Sequence, residues 1–577
     1  MTRPSSRLIP LTLIAAGLWA YHNSLAVPFL FDDHESITFN PHLRSLWPLW
    51  RAMVPPTPSS VVAGRPLVGL TLALNYALGG LHVFGYHLVN VAAHVVSTLL
   101  VYGIVRRTLR GPRFRDRDGA DAQGLAIALL WTVHPLLTES VTYVVQRTEL
   151  LMGLCLLLAL YSLIRAADTW PRRGWPAVAV VSCALGMLSK EVMVVAPVLV
   201  WIYDWMFLAR SGREWWQRRR ALYLGLASTW ILLALLLVTT HHPAASLAFT
   251  RLTPWDYALT QCGVLLHYLR LSVWPHPLAL DYFDWPVTHT LAQAWPDAAV
   301  IGGLLAGTCW ALARRRPLGM LGAWFLLVLA PTSSALPIIT EIAAERRMYL
   351  PLIAVVCLVV IGGWRWLGRL IAHARPRRIT AASLVAAVAV LLSGVTVRRN
   401  QDYHTEASIW RETLATRPGN ARAHLNLGRV LQDAGQWEAA VAQYRDALRL
   451  SPRLAEAHYN LGTALAEAGR AEEAIGHYRD ALRWKPGFVA AHYNLALALE
   501  DRGQWEASVA EYQEALRFAP QSVEAHNNLG LVLVRLGRID DAIAHEEAAL
   551  RLAPGSLLVL RNLQRARALR APLLRQP

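Results

Sequence analysis

Ala423-His424-Leu425-Asn426-Leu427-Gly428, Ala457-His458-Tyr459-Asn460-Leu461-Gly462, Ala491-His492-Tyr493-Asn494-Leu495-Ala496 and Ala525-His526-Asn527-Asn528-Leu529-Gly530 follow one another every 34 residues. Pro418, Pro452, Pro486, Pro520 and Pro554 keep the same period, as do Gly435, Gly469, Gly503 and Gly537. A period of this length is one helix–turn–helix unit, whose apolar face only a neighbouring unit can cover. The segment is therefore an α-solenoid. Residues 421–556 hold four units, and 557–577 form a capping helix and tail, with arginines on one face of 556–570. Residues 398–420 are a linker and half repeat, in which 402–418 reads as a lone second helix.

The pattern resembles the tetratricopeptide repeat, with small residues where two helices cross, glycine at the turn and proline at the close. Upstream the composition changes. Apolar residues make up 54% of the 577-residue chain and charged residues 16%, which excludes a disordered, collagen-like or disulfide-stapled protein. Eleven stretches are long and apolar enough to span a bilayer: 8–27, 86–105, 124–142, 148–165, 175–190, 192–208, 221–240, 298–313, 318–338, 349–366 and 380–397. Residues 1–397 thus form an all-α multispan domain. The first stretch carries Arg3 and Arg7 but no small-residue cleavage site, so it reads as an uncleaved helix.

Of the formal charge of +17, +15 lies before residue 398. The excess orients loops and is not a nucleic-acid footprint. Arg3/Arg7, Arg106 to Arg117, Arg165 to Arg173, Arg210 to Arg220, Arg314 to Arg316 and Arg365 to Arg378 all fall on one side of eleven spans, the cytoplasmic side. The external face then receives the large loop 28–85, residues near 134–149, the Ser189-Lys190-Glu191 turn, 241–297, 339–348 and the repeats. Residues 258–273 are re-entrant or interfacial in this scheme. Two lysines against 54 arginines point to a high-GC bacterial genome, hence an inner-membrane protein with periplasmic repeats. The five cysteines, Cys155, Cys183, Cys262, Cys309 and Cys357, lie inside apolar runs without a CxxC and read as core residues.

After the first span comes Phe29-Leu30-Phe31-Asp32-Asp33-His34-Glu35. Adjacent carboxylates at a membrane edge are costly and mark a functional candidate. Their mutual repulsion raises the pKa of each, which suits a proton acceptor. The competing reading is an acidic turn that caps a helix.

These residues resemble the acidic first loop of the integral-membrane GT-C glycosyltransferases, which take a sugar from a polyprenyl-phosphate carrier. Further stretches resemble the transmembrane and tetratricopeptide-repeat-containing protein O-mannosyltransferases. They are Arg65-Pro66-Leu67, Gly85 to Asn90, Val133-His134-Pro135 through Thr138-Glu139 to Arg147-Thr148-Glu149, Ser189-Lys190-Glu191, Tyr203-Asp204 and Glu345 to Pro351. The resemblance implies inverting transfer of a sugar, most simply mannose, to a Ser or Thr hydroxyl of a protein. Asp32 and Asp33 carry over as the base loop. A divalent cation is used by some GT-C enzymes, but two aspartates are too few ligands alone.

A phosphate leaving group calls for cations. Arg65, Arg147, Lys190, Arg346 and Arg347 are candidates on the external side. Glu139, Glu149, Glu191 and His134 are supporting candidates, and the Arg147/Glu149 and Lys190/Glu191 neighbours equally suit structural pairs. His134 and His87 suit helix-end caps as well as function. Trp274 to Trp295, with Tyr282, Phe283 and Trp285, reads as an interfacial belt or a sugar platform. Asn426, Asn460, Asn494 and Asn528 hold one position in each repeat, and either bind the backbone of a client polypeptide or tie neighbouring helices. His424, His458, His492 and His526 read as packing between helices. Two alternatives to the enzyme are a membrane-anchored repeat scaffold and a transferase acting on a lipid-linked glycan. A scaffold has no use for Asp32-Asp33 at the membrane edge.

Overall fold

The computed structural model describes residues 8–54, 57, 60–114, 119–169, 174–209, 212–239, 252–334, 338 and 341–573. Arg3, Arg7, Arg117, Arg172, Arg173, Arg210 and residues 240–251 of the expected loops lie outside the described residues. Those described form helices and turns with no strand, in two compact units, 1–416 and 417–577.

In the first unit each of the eleven apolar stretches contains a helix among its described residues. Among the described residues seven helices are long and apolar enough to cross a membrane, and an eighth follows if one bent pair counts as a single span. That pair, Ala120–Thr132 and Pro135–Thr142, bends by 54°. Pro135 lacks the N–H needed to continue the first helix, and His134 Nδ1 caps the new turn by accepting from Leu136 N (3.2 Å). Gly174–Met187 and Pro317–Leu329 are shorter apolar helices, as is Pro66–Gly79, which lies inside the expected 28–85 loop. The Pro254–Val273 helix starts with a reciprocal Thr253/Asp256 cap and packs its tyrosines on the 332–344 segment.

Polar side chains tie the helix ends where lipid offers no hydrogen bonds. Trp131 Nε1 donates to Tyr349 O (2.9 Å) and Trp324 Nε1 to Leu350 O (2.8 Å). Asn400, at the end of the Ala374–Asp402 helix, donates to Ala20 O and accepts from Thr142 Oγ1 (2.9 and 2.8 Å). The Ala374–Asp402 helix is thereby fastened to the end of the Leu8–Tyr21 helix. Cys155, Cys183 and Cys357 are buried as expected, whereas Cys309 is exposed on the outward side of the Leu291–Ala313 helix.

The second unit is four helix pairs, Ala421–Asp433 with Trp437–Leu450, Ala455–Glu467 with Ala471–Trp484, Val489–Asp501 with Trp505–Phe518, and Val523–Arg535 with Ile539–Leu552. Leu557–Leu573 caps them. The turn glycines sit at φ between +70° and +76°, the region a side chain resists. Gly428 and Gly462 let the second helix lay a tyrosine ring on the first, since a Cβ there would come within 3 Å of Tyr444 or Tyr478. The helix Glu406–Thr416 packs within the first unit, with Trp410 edge-on to Phe31 (5.5 Å).

Tyr444, Tyr478 and Tyr512 fill one buried position, and the fourth repeat puts Glu546 there, 1% exposed and with Oε2 unpartnered. Burial pushes this carboxyl from an ordinary 4.5 up to about 8. The folded repeat therefore keeps a proton that the unfolded chain releases, so this contribution to stability is lost as pH rises from about 4.5 through 8. Hydrogen exchange across 523–552 of the full chain should speed up over that window, and Glu546→Gln should flatten the dependence.

Candidate active site

The loop after the first helix is short and its backbone is strained. Phe31 sits at φ +42°, which costs a bulky residue on the order of 1–3 kcal/mol. Three contacts hold it there. Phe31 N donates to Glu406 Oε1 (2.6 Å), Asp32 N donates to Tyr143 OH (2.8 Å), and His34 Nε2 lies 3.2 Å from the same Glu406 oxygen.

The two aspartates divide their work. Asp33 is 1% exposed, and its two oxygens accept from Leu30 N (3.0 Å) and Val145 N (2.8 Å). It clips the loop to the turn before the Arg147–Thr169 helix. Burial pushes its carboxyl up to about 8, against the pull of those N–H donors, and the Asp32 charge is a smaller cause. The sequence reading had made repulsion within the pair the main cause; burial outweighs it. Asp32 is half-buried and is the more exposed member of the pair.

The expected phosphate-binding cations are engaged by other groups. Arg65 pairs with Glu191 (3.4 Å) and Lys190 with Glu149. These pairs cross the chain and replace the neighbour pairs that adjacency suggested. Arg147 is fully buried, donating to Asn90 Oδ1 (2.8 Å), Asn75 Oδ1 (2.6 Å) and Tyr86 O (2.8 Å). Arg346 bonds Glu139 (2.5 Å) and Glu341, while Arg347 donates to the carbonyls of Thr332 and Ile342 (3.1 Å each). His134 is buried with both ring nitrogens used, Nε2 on Ser272 O (3.2 Å). His87 Nε2 on Val27 O (2.8 Å) holds the start of the acidic loop.

Four residues that sequence reasoning missed complete the cluster: Tyr143, Glu345, Arg399 and Glu406. Glu345 is buried and accepts from Ala279 N (2.6 Å) and Tyr282 OH (2.7 Å). Burial pushes it up to about 7, with the Arg399 charge pulling the other way. Arg399 is 5% exposed and gives one nitrogen to Asp402 (3.0 Å), while its Nε and Nη2 have no partner among the described residues. One signal could have found it. Arg398-Arg399 ends a span on the side expected to lack basic residues. Tyr282 belongs to the aromatic loop but is buried, so it serves as neither belt nor platform, whereas Trp274 and Trp295 are exposed.

Both Asp33 oxygens accept from backbone N–H groups, so a divalent cation at this loop would draw on Asp32 and on water or substrate oxygens. Among the described residues one trio of possible metal ligands converges, His458, His477 and Asp480, in the repeats. There the histidines are structural: Nε2 of His424, His458, His492 and His526 bonds the carbonyl of Pro418, Pro452, Pro486 and Pro520 (2.9–3.2 Å). The asparagine column is half committed. Asn494 and Asn528 donate to Tyr459 OH and Tyr493 OH of the preceding repeat (3.2 and 2.8 Å). Leu425 occupies the tyrosine position opposite Asn460, so that asparagine lacks the tie. Asn426 Nδ2 is buried without a partner.

Lys190→Ala should leave Glu149 buried without its counter-charge and destabilise the first unit by about 3–5 kcal/mol. The double change Lys190→Met/Glu149→Leu should recover most of it, as read from the thermal stability of detergent-purified protein.

Residues 63–242 match the family described as dolichyl-phosphate-mannose-protein mannosyltransferase. Tetratricopeptide repeat families match 428–469, 455–488 and 493–556. The human protein O-mannosyl-transferase TMTC4 is 28% identical over 76% of this chain and 66% of its own length. Tmtc3 of Drosophila melanogaster, also a protein O-mannosyl-transferase, is 28% identical over 75% of this chain and 54% of its own. The chain thus spans between half and two thirds of these relatives. A crystal structure of MamA aligns with 27% of the chain at 24% identity and a TM-score of 0.25, too low to add weight. Over about three quarters of its length the chain is similar to the protein O-mannosyl-transferases TMTC4 and Tmtc3, with a stretch matching the mannosyltransferase family ahead of tetratricopeptide repeats.

Proposed function

We propose that this chain transfers mannose from a polyprenyl-phosphate carrier to a Ser or Thr hydroxyl of a client polypeptide, on the membrane face that carries the acidic loop. The division of labour in the acidic pair carries the reading. Asp33 is buried with both oxygens on backbone N–H groups, while Asp32 is the more exposed of the two and its backbone is pinned from both sides. A scaffold has no need to hold a carboxylate on strained backbone.

In this reading Asp32 accepts the hydroxyl proton, because a serine or threonine oxygen is a poor nucleophile at neutral pH. The oxygen attacks the anomeric carbon as the carbon–oxygen bond to phosphate breaks, and the configuration inverts. The lipid phosphate leaves with the bonding pair. Arg399 receives it, since it alone of the six external cations weighed above keeps two buried donors unpartnered among the described residues. Nε and Nη2 of one guanidinium form the fork that binds two oxygens of a phosphate. Asp402 holds the arginine in place, and the Glu345 charge acts on it without a direct bond. The repeats hold the client, whose backbone N–H groups bond the asparagine Oδ1 atoms, Asn528 Oδ1 also accepting from Asn527 Nδ2 (3.2 Å).

Transfer of radiolabelled mannose from polyprenyl phosphate, in membranes expressing each variant at equal level, tests this. Asp32→Asn should lower protein-bound label by about 10²–10⁴-fold. Arg399→Gln should raise the donor KM and lower kcat together, with Arg399→Lys recovering part of the loss. Full label with Asp32→Asn removes the base assignment. Absence of label from wild type across several sugars and clients moves the assignment to the scaffold.

A further inference from the structure

The opposite end of the first unit holds a second polar site. Asn90, beside the acidic loop, and Thr108 lie on the same Val83–Arg110 helix, 18 residues or about 27 Å apart along its axis. Around Thr108 a cavity of about 510 Å³ runs between this helix and Arg147–Thr169, Pro317–Leu329 and Leu352–Leu370. Its walls are almost wholly apolar, with Leu157, Met320, Trp324, Ile353 and Cys357 inside and Leu318 and Leu358 exposed at its rim. An unfilled apolar space of this size forfeits dispersion contacts that a packed interior makes. The exposed rim residues belong to membrane-spanning or apolar helices, so the cavity opens toward lipid.

One end of the cavity is basic. Arg316 and Arg365 line it, and a second pocket of about 420 Å³, sharing Thr108, Tyr203 and Phe207 with it, adds Arg113. Arg106, Arg107 and Arg110 near by are neutralised by Asp121 and Asp168. Arg113, Arg315, Arg316 and Arg365 have no carboxylate partner among the described residues. Arg113 donates to Arg315 O (3.3 Å), and Arg315 and Arg316 lie over Trp205 and Trp310 (4.8 and 4.5 Å). Guanidinium groups without a carboxylate partner among the described residues, at the mouth of an apolar intramembrane groove, match a ligand with a phosphate head and a hydrocarbon tail.

We infer that this groove is a binding site for an anionic phospholipid, one acyl chain in the cavity and the phosphate on Arg113, Arg316 and Arg365. It is separate from the acidic loop and does not depend on the function proposed for that loop.

The test uses the full chain in nanodiscs of phosphatidylcholine doped with phosphatidylglycerol, released into detergent and weighed by native mass spectrometry. Wild type should retain one phosphatidylglycerol in preference to phosphatidylcholine, and Arg316→Gln/Arg365→Gln should weaken that retention at least tenfold with unchanged elution and helix content. Ala354→Phe, which fills the cavity, should lower retention with the arginines intact. Equal retention of both lipids, or no effect of the arginine pair, overturns the inference. So does preferential retention of added polyprenyl phosphate, which assigns the groove to the carrier. Stabilisation by inorganic phosphate equal to that by phosphatidylglycerol also overturns it, in favour of a free-anion site.

Discussion

A charge or hydrogen-bonding group removed from water needs a partner, and at a membrane edge the chain itself must supply it. The first unit is organised by that demand. Asp33 finds its partners in two backbone N–H groups that lie more than a hundred residues apart in sequence, Leu30 and Val145. Arg147, two residues on, finds its own in Asn75, Asn90 and Tyr86. These bonds bring the first loop and the Pro66–Gly79, Val83–Arg110 and Arg147–Thr169 helices to one place. Each satisfies a group that would otherwise be stranded, so the loop is positioned by necessity and not by packing alone.

The same demand explains why most cations of the sequence motifs are structural. Lys190 with Glu149, and Arg346 with Glu139, are pairs at 8% and 13% side-chain exposure of the cation against 4% and 1% for the acid. Once buried, neither charge can be withdrawn for a ligand without stranding the other. Arg399 differs because Asp402 uses one of its nitrogens and leaves two. A side chain able to receive a transient phosphate is therefore found by asking which buried donors remain, and motif membership does not answer that.

Much of the architecture was legible in the residues. The 34-residue period gives the repeats directly, because the glycine and proline positions follow from backbone geometry. The apolar stretches give the helices, though Leu8–Tyr21 and Gly174–Met187 are shorter as helices than the apolar runs 8–27 and 175–190, since tighter turns take up their ends. Sequence neighbours misled where they suggested ion pairs: the Lys190–Glu149 and Arg65–Glu191 pairs depend on how helices meet. The roles of Asp32 and Asp33 were equally out of reach. Identical side chains in adjacent positions differ only in what lies on each side of the backbone. Glu406 was hidden by its place in what reads as half a repeat.

That glutamate moves the boundary of the membrane part. Read from hydropathy, the membrane portion stops at 397, and everything beyond belongs to the array. Yet Glu406 bonds the N–H of Phe31, and Trp410 meets its ring. The modular unit, the piece that evolution or an engineer can graft onto a different set of repeats with its acidic loop still in shape, ends at 416. A chimera joined at 397 inherits every span and both aspartates, and loses the hand that holds them.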